Sequence, residues 1–146
     1  MLERSSVTLE GTNHAMNTGI QESLNIVGED VWLTVPPFSE YLRTVRLVAA
    51  DAAVRADLDC HEVEDFRIAV DELCHLLMSS TDHEIFLSFG VVGQCTVARG
   101  RARRRPGGPL APLSELARAI IDSVATYYET IELDDEIRFS VMKHAR

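Results

Sequence analysis

Two stretches of this chain carry side chains whose types and spacing could do chemistry. The first is residues 62–78, Glu-Val-Glu-Asp-Phe-Arg-Ile-Ala-Val-Asp-Glu-Leu-Cys-His-Leu-Leu-Met. Val63, Phe66, Ala69, Val70, Leu73, Leu76 and Leu77 recur there at three- and four-residue steps, which predicts an amphipathic helix of about five turns. At about 100° per residue, Asp65, Glu72 and Leu76 fall in a row along one border of the apolar stripe. A carboxylate at such an edge is only partly hydrated, so its pKa can rise and Glu72 becomes a candidate general base. The plainer reading is a solvated acid. The second stretch is cationic: Arg99, Arg101, Arg103, Arg104 and Arg105 run into Pro106-Gly107-Gly108-Pro109. Its composition reads as a solvated loop, or as a contact for an acidic partner or a nucleotide phosphate.

Other candidate chemistry weakens on inspection. Cys60-His61 and Cys74-His75 suggest zinc, but adjacent helical residues point about 100° apart and no Cys-x-x-Cys spacing is present. Three cysteines at unrelated spacings give no disulfide framework and fit a reducing compartment. The net charge of −9 disfavours general nucleic-acid binding, which needs a basic surface. It suits a protein partner with basic patches. No apolar run is long enough to cross a membrane, and the start, Met-Leu-Glu-Arg-Ser-Ser, lacks signal-peptide order, so a cytoplasmic location is expected.

The elements that must position these residues follow from periodicity. Residues 1–30 are polar without a sustained period and are expected to form a flexible or loosely docked extension, with one domain from 31 to 146. Val31–Val35 alternates like a strand and is stopped by Pro36-Pro37. Ser39 is expected to cap a helix carrying Tyr41, Leu42, Val45, Val48, Ala49 and Ala52 on one face, with Arg46 at its edge. After the 62–78 helix, Ile85, Leu87 and Phe89 and then Cys95, Val97 and Arg99 predict a hairpin turning near Gly93-Gln94. Leu113, Leu116, Ala117, Ile120, Ile121, Val124 and Tyr128 predict a third helix, and Ile137–Val141 a closing strand. This order predicts an α/β two-layer sandwich: a mixed, largely antiparallel sheet with three helices on one face.

The same order is that of the Bergerat-type ATP-binding fold shared by histidine kinases and DNA gyrase B. Within it, residues 31–143 resemble the anti-sigma-factor serine kinases. The likeness is strongest from Val35 to Met78, where Val63-Glu64-Asp65-Phe66-Arg67-Ile68-Ala69-Val70-Asp71-Glu72 runs into the family's N-box position, and again at Ile137–Lys143. In that family a glutamate at the position of Glu72 serves catalysis, and an asparagine four residues on holds the magnesium of ATP. Leu76 stands where that asparagine belongs. The family's Asp-x-Gly-x-Gly motif is replaced by Thr96-Val97-Ala98-Arg99-Gly100-Arg101-Ala102-Arg103, and its phosphate-binding glycines by Pro112-Leu113-Ser114-Glu115-Leu116, with Gly107-Gly108 slightly upstream.

The resemblance therefore implies a degenerate anti-sigma factor. Such a protein holds an alternative sigma factor, is released from it by a STAS-type anti-anti-sigma antagonist, forms homodimers, and needs no ATP or magnesium unless the damaged site still works. Arg46, with Arg43 and Leu42, matches the family's partner-contacting first helix. Two alternatives stand beside it: an active serine kinase with Glu72 as base, and a small-ligand sensor using the emptied pocket. An interaction module of no particular family is the residual reading.

Overall fold

The computed structural model describes residues 30–108 and 113–146. The expected extension thus lies outside the described residues except for Asp30, and so does the end of the arginine segment from Pro109 to Pro112.

β1 (Val31–Val35) ends at the two prolines, where a 3-10 turn (Ser39–Tyr41) leads into α1 (Leu42–Arg55). Ser39 does not cap this helix. Phe38 precedes the turn without a side-chain bond, and Tyr41 N–H donates to the Phe38 carbonyl at 3.0 Å, so backbone closes the first turn. α2 (Cys60–Ser80) starts ahead of the expected boundary because a capping box fixes it. Glu62 N–H donates to Asp59 Oδ1 and Asp59 N–H donates to Glu62 Oε1, both at 2.8 Å. The second Glu62 oxygen accepts from Arg146 N–H at 2.7 Å, which ties the end of the chain to the start of the helix.

β2 (Ile85–Val92) and β3 (Cys95–Arg103) form the expected hairpin, with Gly93 at φ +60° in the turn, a conformation that costs glycine little. α3 (Glu115–Val124) is followed by β4 (Tyr127–Glu132) and β5 (Glu136–His144). The sheet order is β1-β2-β3-β5-β4, and every pair is antiparallel, so the sheet is the wholly antiparallel form of the mixed one expected.

Two segments differ from the sequence expectation. Central strand β3 includes Arg99, as the hairpin reading expects, and runs on through Arg101 and Arg103, which are not in a loop. They alternate with Gly100 and Ala102, which face the core but are too small to register as a hydrophobic pattern. Tyr128 belongs to edge strand β4, since α3 stops at Val124 and the β-formers Tyr127, Tyr128, Thr130 and Ile131 follow.

The core lies between the sheet and the helices. Val45, Ala49 and Ala52 of α1 and Phe66, Val70, Leu73 and Leu77 of α2 meet Ile85, Leu87, Phe89, Phe139 and Val141. Gly100 pairs with Phe139, and a Cβ at Gly100 would lie 2.8 Å from Leu87 Cδ2, so this glycine makes room for the aromatic ring. Lys143 fastens three elements together: its Nζ donates to Asp65 Oδ2 at 3.1 Å and to the Val124 carbonyl at 2.7 Å, at the C-terminal end of α3.

Candidate functional site

α1 and α2 pack side by side, and their outer faces carry most of the residues singled out by sequence. The buried face of α1 is built from Leu42, Val45, Ala49, Ala52 and Ala53. Leu42 therefore sits in the core and offers no side-chain surface, whereas Arg43 is exposed. Arg46 lies at the border, where its Nε–H donates to Asp71 Oδ1 of α2 at 2.8 Å. This ion pair fixes the guanidinium at the seam between the helices.

Opposite the buried face, Arg43, Leu47, Ala50 and Val54 recur at four-, three- and four-residue steps and line up along one side of α1. Leu47 is 69% exposed and Val54 61% exposed, and Phe38 also stands out from the surface just before the helix. The sequence reading passed over Leu47 and Val54, although both are large apolar residues off the core stripe.

Glu72 is half-buried on α2 beside Asp71 and His75, one turn before Leu76. The carboxylates of Asp71 and Glu72 and the His75 ring bring ligand atoms within 4.8 Å of one another. Asp71 is engaged by Arg46, and His75 Nδ1 lies 3.0 Å from the Asp71 carbonyl, so a cation here would compete with existing bonds. Buried Cys74 is no nucleophile: burial, and secondarily the charge of Asp71, push its thiol far above the ordinary range. Cys95 is raised by burial too, and all three cysteines are free thiols, with Cys74 buried and Cys60 exposed.

Leu76 is 6% exposed and faces a cavity of about 100 Å³ shared with Leu113, Arg118, Tyr128, Thr130, Glu132 and Ile137. Glu72 does not line it. This cavity alone is below the roughly 300–1,000 Å³ of small-molecule sites, and it shares Glu132 and Ile137 with a neighbouring one of about 120 Å³. At the start of α3, Ser114 Oγ accepts from Ala117 N–H at 3.0 Å, which occupies an amide that could otherwise face phosphate. Glu115 adds a negative charge in the first turn. Gly107 adopts φ +68°, and Gly108 N–H donates to the Arg105 carbonyl at 3.2 Å, so this Gly-Gly pair makes a turn.

The arginine segment is mostly committed to the fold. Arg105 donates to the Ser79 carbonyl at 2.7 Å, the Thr81 carbonyl at 3.0 Å and Asp82 Oδ1 at 2.8 Å, satisfying the C-terminal end of α2. Arg104 donates to the Leu133 carbonyl at 2.7 Å. Arg101 stacks 4.7 Å over the Phe86 ring and pairs with Glu136, which also binds Arg138. Among the described residues, no helix is long and apolar enough to cross a membrane.

No protein-family profile matches the sequence, and no curated protein matches it. A solved structure does: the RsbU and RsbW domains of Rv1364c from Mycobacterium tuberculosis, at a TM-score of 0.60 and 14% identity over 82% of this chain. The chain spans 34% of that protein's length. At that identity the likeness concerns architecture, and it agrees with the geometry above: this chain is an α/β sandwich in which a five-stranded antiparallel sheet carries three helices, similar in fold to a solved chain that contains an RsbW domain.

Proposed function

We propose that this chain is a partner-binding regulator of the anti-sigma type, which holds a sigma factor on the outer face of α1, yields it to a STAS-type antagonist, and transfers no phosphoryl group. The observation that carries this reading is the row Arg43–Leu47–Ala50–Val54, exposed except at half-buried Ala50 and flanked by Arg46. An apolar strip with arginines at its edge has the composition of an interface centre. An isolated exposed leucine would need no explanation, but apolar residues aligned on one helix face form a patch.

The lack of phosphoryl transfer is supported by chemistry. Magnesium takes hard oxygen ligands, and Leu76 supplies none to the cavity it lines. The amide of Ala117 is already bonded, and β3 has no carboxylate to hold an adenine. Glu72 then serves as a surface acid beside Asp71, not as a base. The likeness to a chain containing an RsbW domain fits the same reading.

The test is titration calorimetry with each alternative sigma factor and each STAS-domain protein encoded by the same genome, with and without magnesium-ATP. Saturable binding to one sigma factor, displaced by one STAS protein and indifferent to ATP, is expected. Phosphorylation of the STAS protein in the presence of ATP would replace this reading with the kinase one, with Glu72 as base.

A further inference from the structure

The sheet order leaves two edges, β1 and β4. β1 is short and is shut off by Pro36-Pro37, which carry no N–H to offer a further strand. β4 has no such stop. It pairs with β5 from Tyr127 to Glu132 in unbroken register, and among the described residues no strand pairs with its other side. In the turn that follows, Leu133 N–H donates to the Glu136 carbonyl at 2.8 Å, which continues the register and marks Leu133 and Glu136 as a pair that bonds across. Bonded and non-bonded pairs alternate along an antiparallel ladder. Glu129 and Ile131 therefore bond to β5, whereas Tyr128, Thr130 and Glu132 turn their N–H and C=O groups to the open edge.

The side chains beside these groups give the edge its character. Tyr128, Thr130 and Glu132 stand on the face that lines the Leu76 cavity, and Tyr127, Glu129 and Ile131 on the opposite face. Tyr127 is 53% exposed, and Ile131 and Leu133 are exposed apolar residues too. Glu129, Glu132, Asp134 and Asp135 add exposed carboxylates along the same short stretch. A second copy of this chain would bring the same carboxylates to meet them, and like charges across a strand pair repel. This charge instead complements a basic segment. Acids interleaved with exposed apolar side chains match a segment in which cations and β-branched residues alternate in turn.

We propose that β4 is a docking edge for an extended basic segment of a partner protein, which adds to the five-stranded sheet as a further antiparallel strand. In the register of β4, the segment sets cations opposite Glu132 and Glu129 and apolar residues opposite Ile131 and Tyr127. The proposal does not rest on the α1 reading, because α1 packs on β2 and β3, away from β4.

The probe is the capped peptide Arg-Val-Thr-Arg-Thr-Val, written to lie antiparallel from Glu132 to Tyr127, titrated into the full-length chain by calorimetry and followed by amide exchange. Saturable binding is expected, with exchange slowed about fivefold or more at the Tyr128, Thr130 and Glu132 amides and unchanged at those of Glu129 and Ile131. Methylating the first, third and fifth amide nitrogens of the peptide, which face β4, should abolish binding. Methylating the second, fourth and sixth, which face away, should change it less than about threefold. These peptides leave the protein untouched, so the test stands even where a variant unfolds. Glu129→Gln with Glu132→Gln should weaken binding about fivefold, and Thr130→Pro, which removes an outward N–H at an edge that tolerates proline, about tenfold. No binding of the parent peptide, equal binding of the two methylated forms, or binding indifferent to the two glutamine changes would overturn the proposal. Protection of the β4 edge in the free chain that is lost on dilution would overturn it too, by assigning the edge to a second copy.

Discussion

Replacing Leu76 by asparagine gives α2 the amide that the resemblance to the anti-sigma kinases would place there, and the structure sets both its cost and its benefit. The two side chains are close in size, so the change leaves little new cavity. It does remove an apolar group that is 6% exposed, and burying such a leucine is worth about 1.5–3 kcal/mol. The incoming amide loses water, at roughly 1–3 kcal/mol if unpaired, but Thr130, Glu132 and Arg118 line the same cavity and offset part of this. A net loss of about 2–3 kcal/mol follows, which lowers the melting temperature by about 6–10 °C for a chain of this size. Urea unfolding gives the stability, and calorimetry with magnesium-ATP gives the benefit. No nucleotide binding is expected, because the bonded amide at α3 and the missing carboxylate on β3 remain. A stability change under about 0.5 kcal/mol would refute the packing assigned to Leu76. Binding of ATP by the variant would refute the claim that the site is damaged in several places at once.

Three further substitutions probe the frame that holds α1 and α2. Lys143→Met keeps the aliphatic stem but breaks the bonds to Asp65 and Val124; with Asp65 partly solvated, a loss of about 2 kcal/mol is expected, and pairing it with Asp65→Asn should cost less than the sum in denaturant unfolding. Asp59→Ala removes half of the capping box and should cost about 1–2 kcal/mol, read by the same assay and by faster amide exchange in the first turn of α2. Gly100→Ala places a Cβ against Leu87 and Phe139 in the core and should cost about 1–3 kcal/mol; an unchanged melting temperature would show that the ring of Phe139 moves aside freely.

Much of this architecture was legible in the sequence wherever side chains are large and periodic. The stripe from Val63 to Leu77 gave α2 and its buried face, and the alternation in Ile85–Phe89 with Gly93 gave the hairpin. Periodicity failed where the core-facing residues are small: Gly100 and Ala102 hid the second half of β3 and left its arginines looking like a loop. It also failed at β4, an exposed edge strand with no buried stripe to announce it. Capping was not legible: Ser39, expected to cap α1, does not, whereas the Asp59–Glu62 box closes α2 and Ser114 caps α3, neither of which periodicity reveals. The place of Arg46 at the edge of α1 was legible and its ion-pair partner was not, because Asp71 lies 25 residues away and meets it only through packing of the two helices. Leu42 illustrates the converse: next to Arg43 in sequence, it turns about 100° inward and belongs to the core.

The account rests on α1 as the partner-binding face, and Leu47→Asp tests that most directly. Leu47 is 69% exposed, so the change should leave stability within about 0.5 kcal/mol. At the centre of an interface the same change should cost about 2 kcal/mol or more, a weakening of roughly 30-fold. The measurement is the dissociation constant of the cognate sigma factor for the natural and variant chains at matched stability. A weakening of that order is predicted, and an unchanged constant would contradict the assignment of this face.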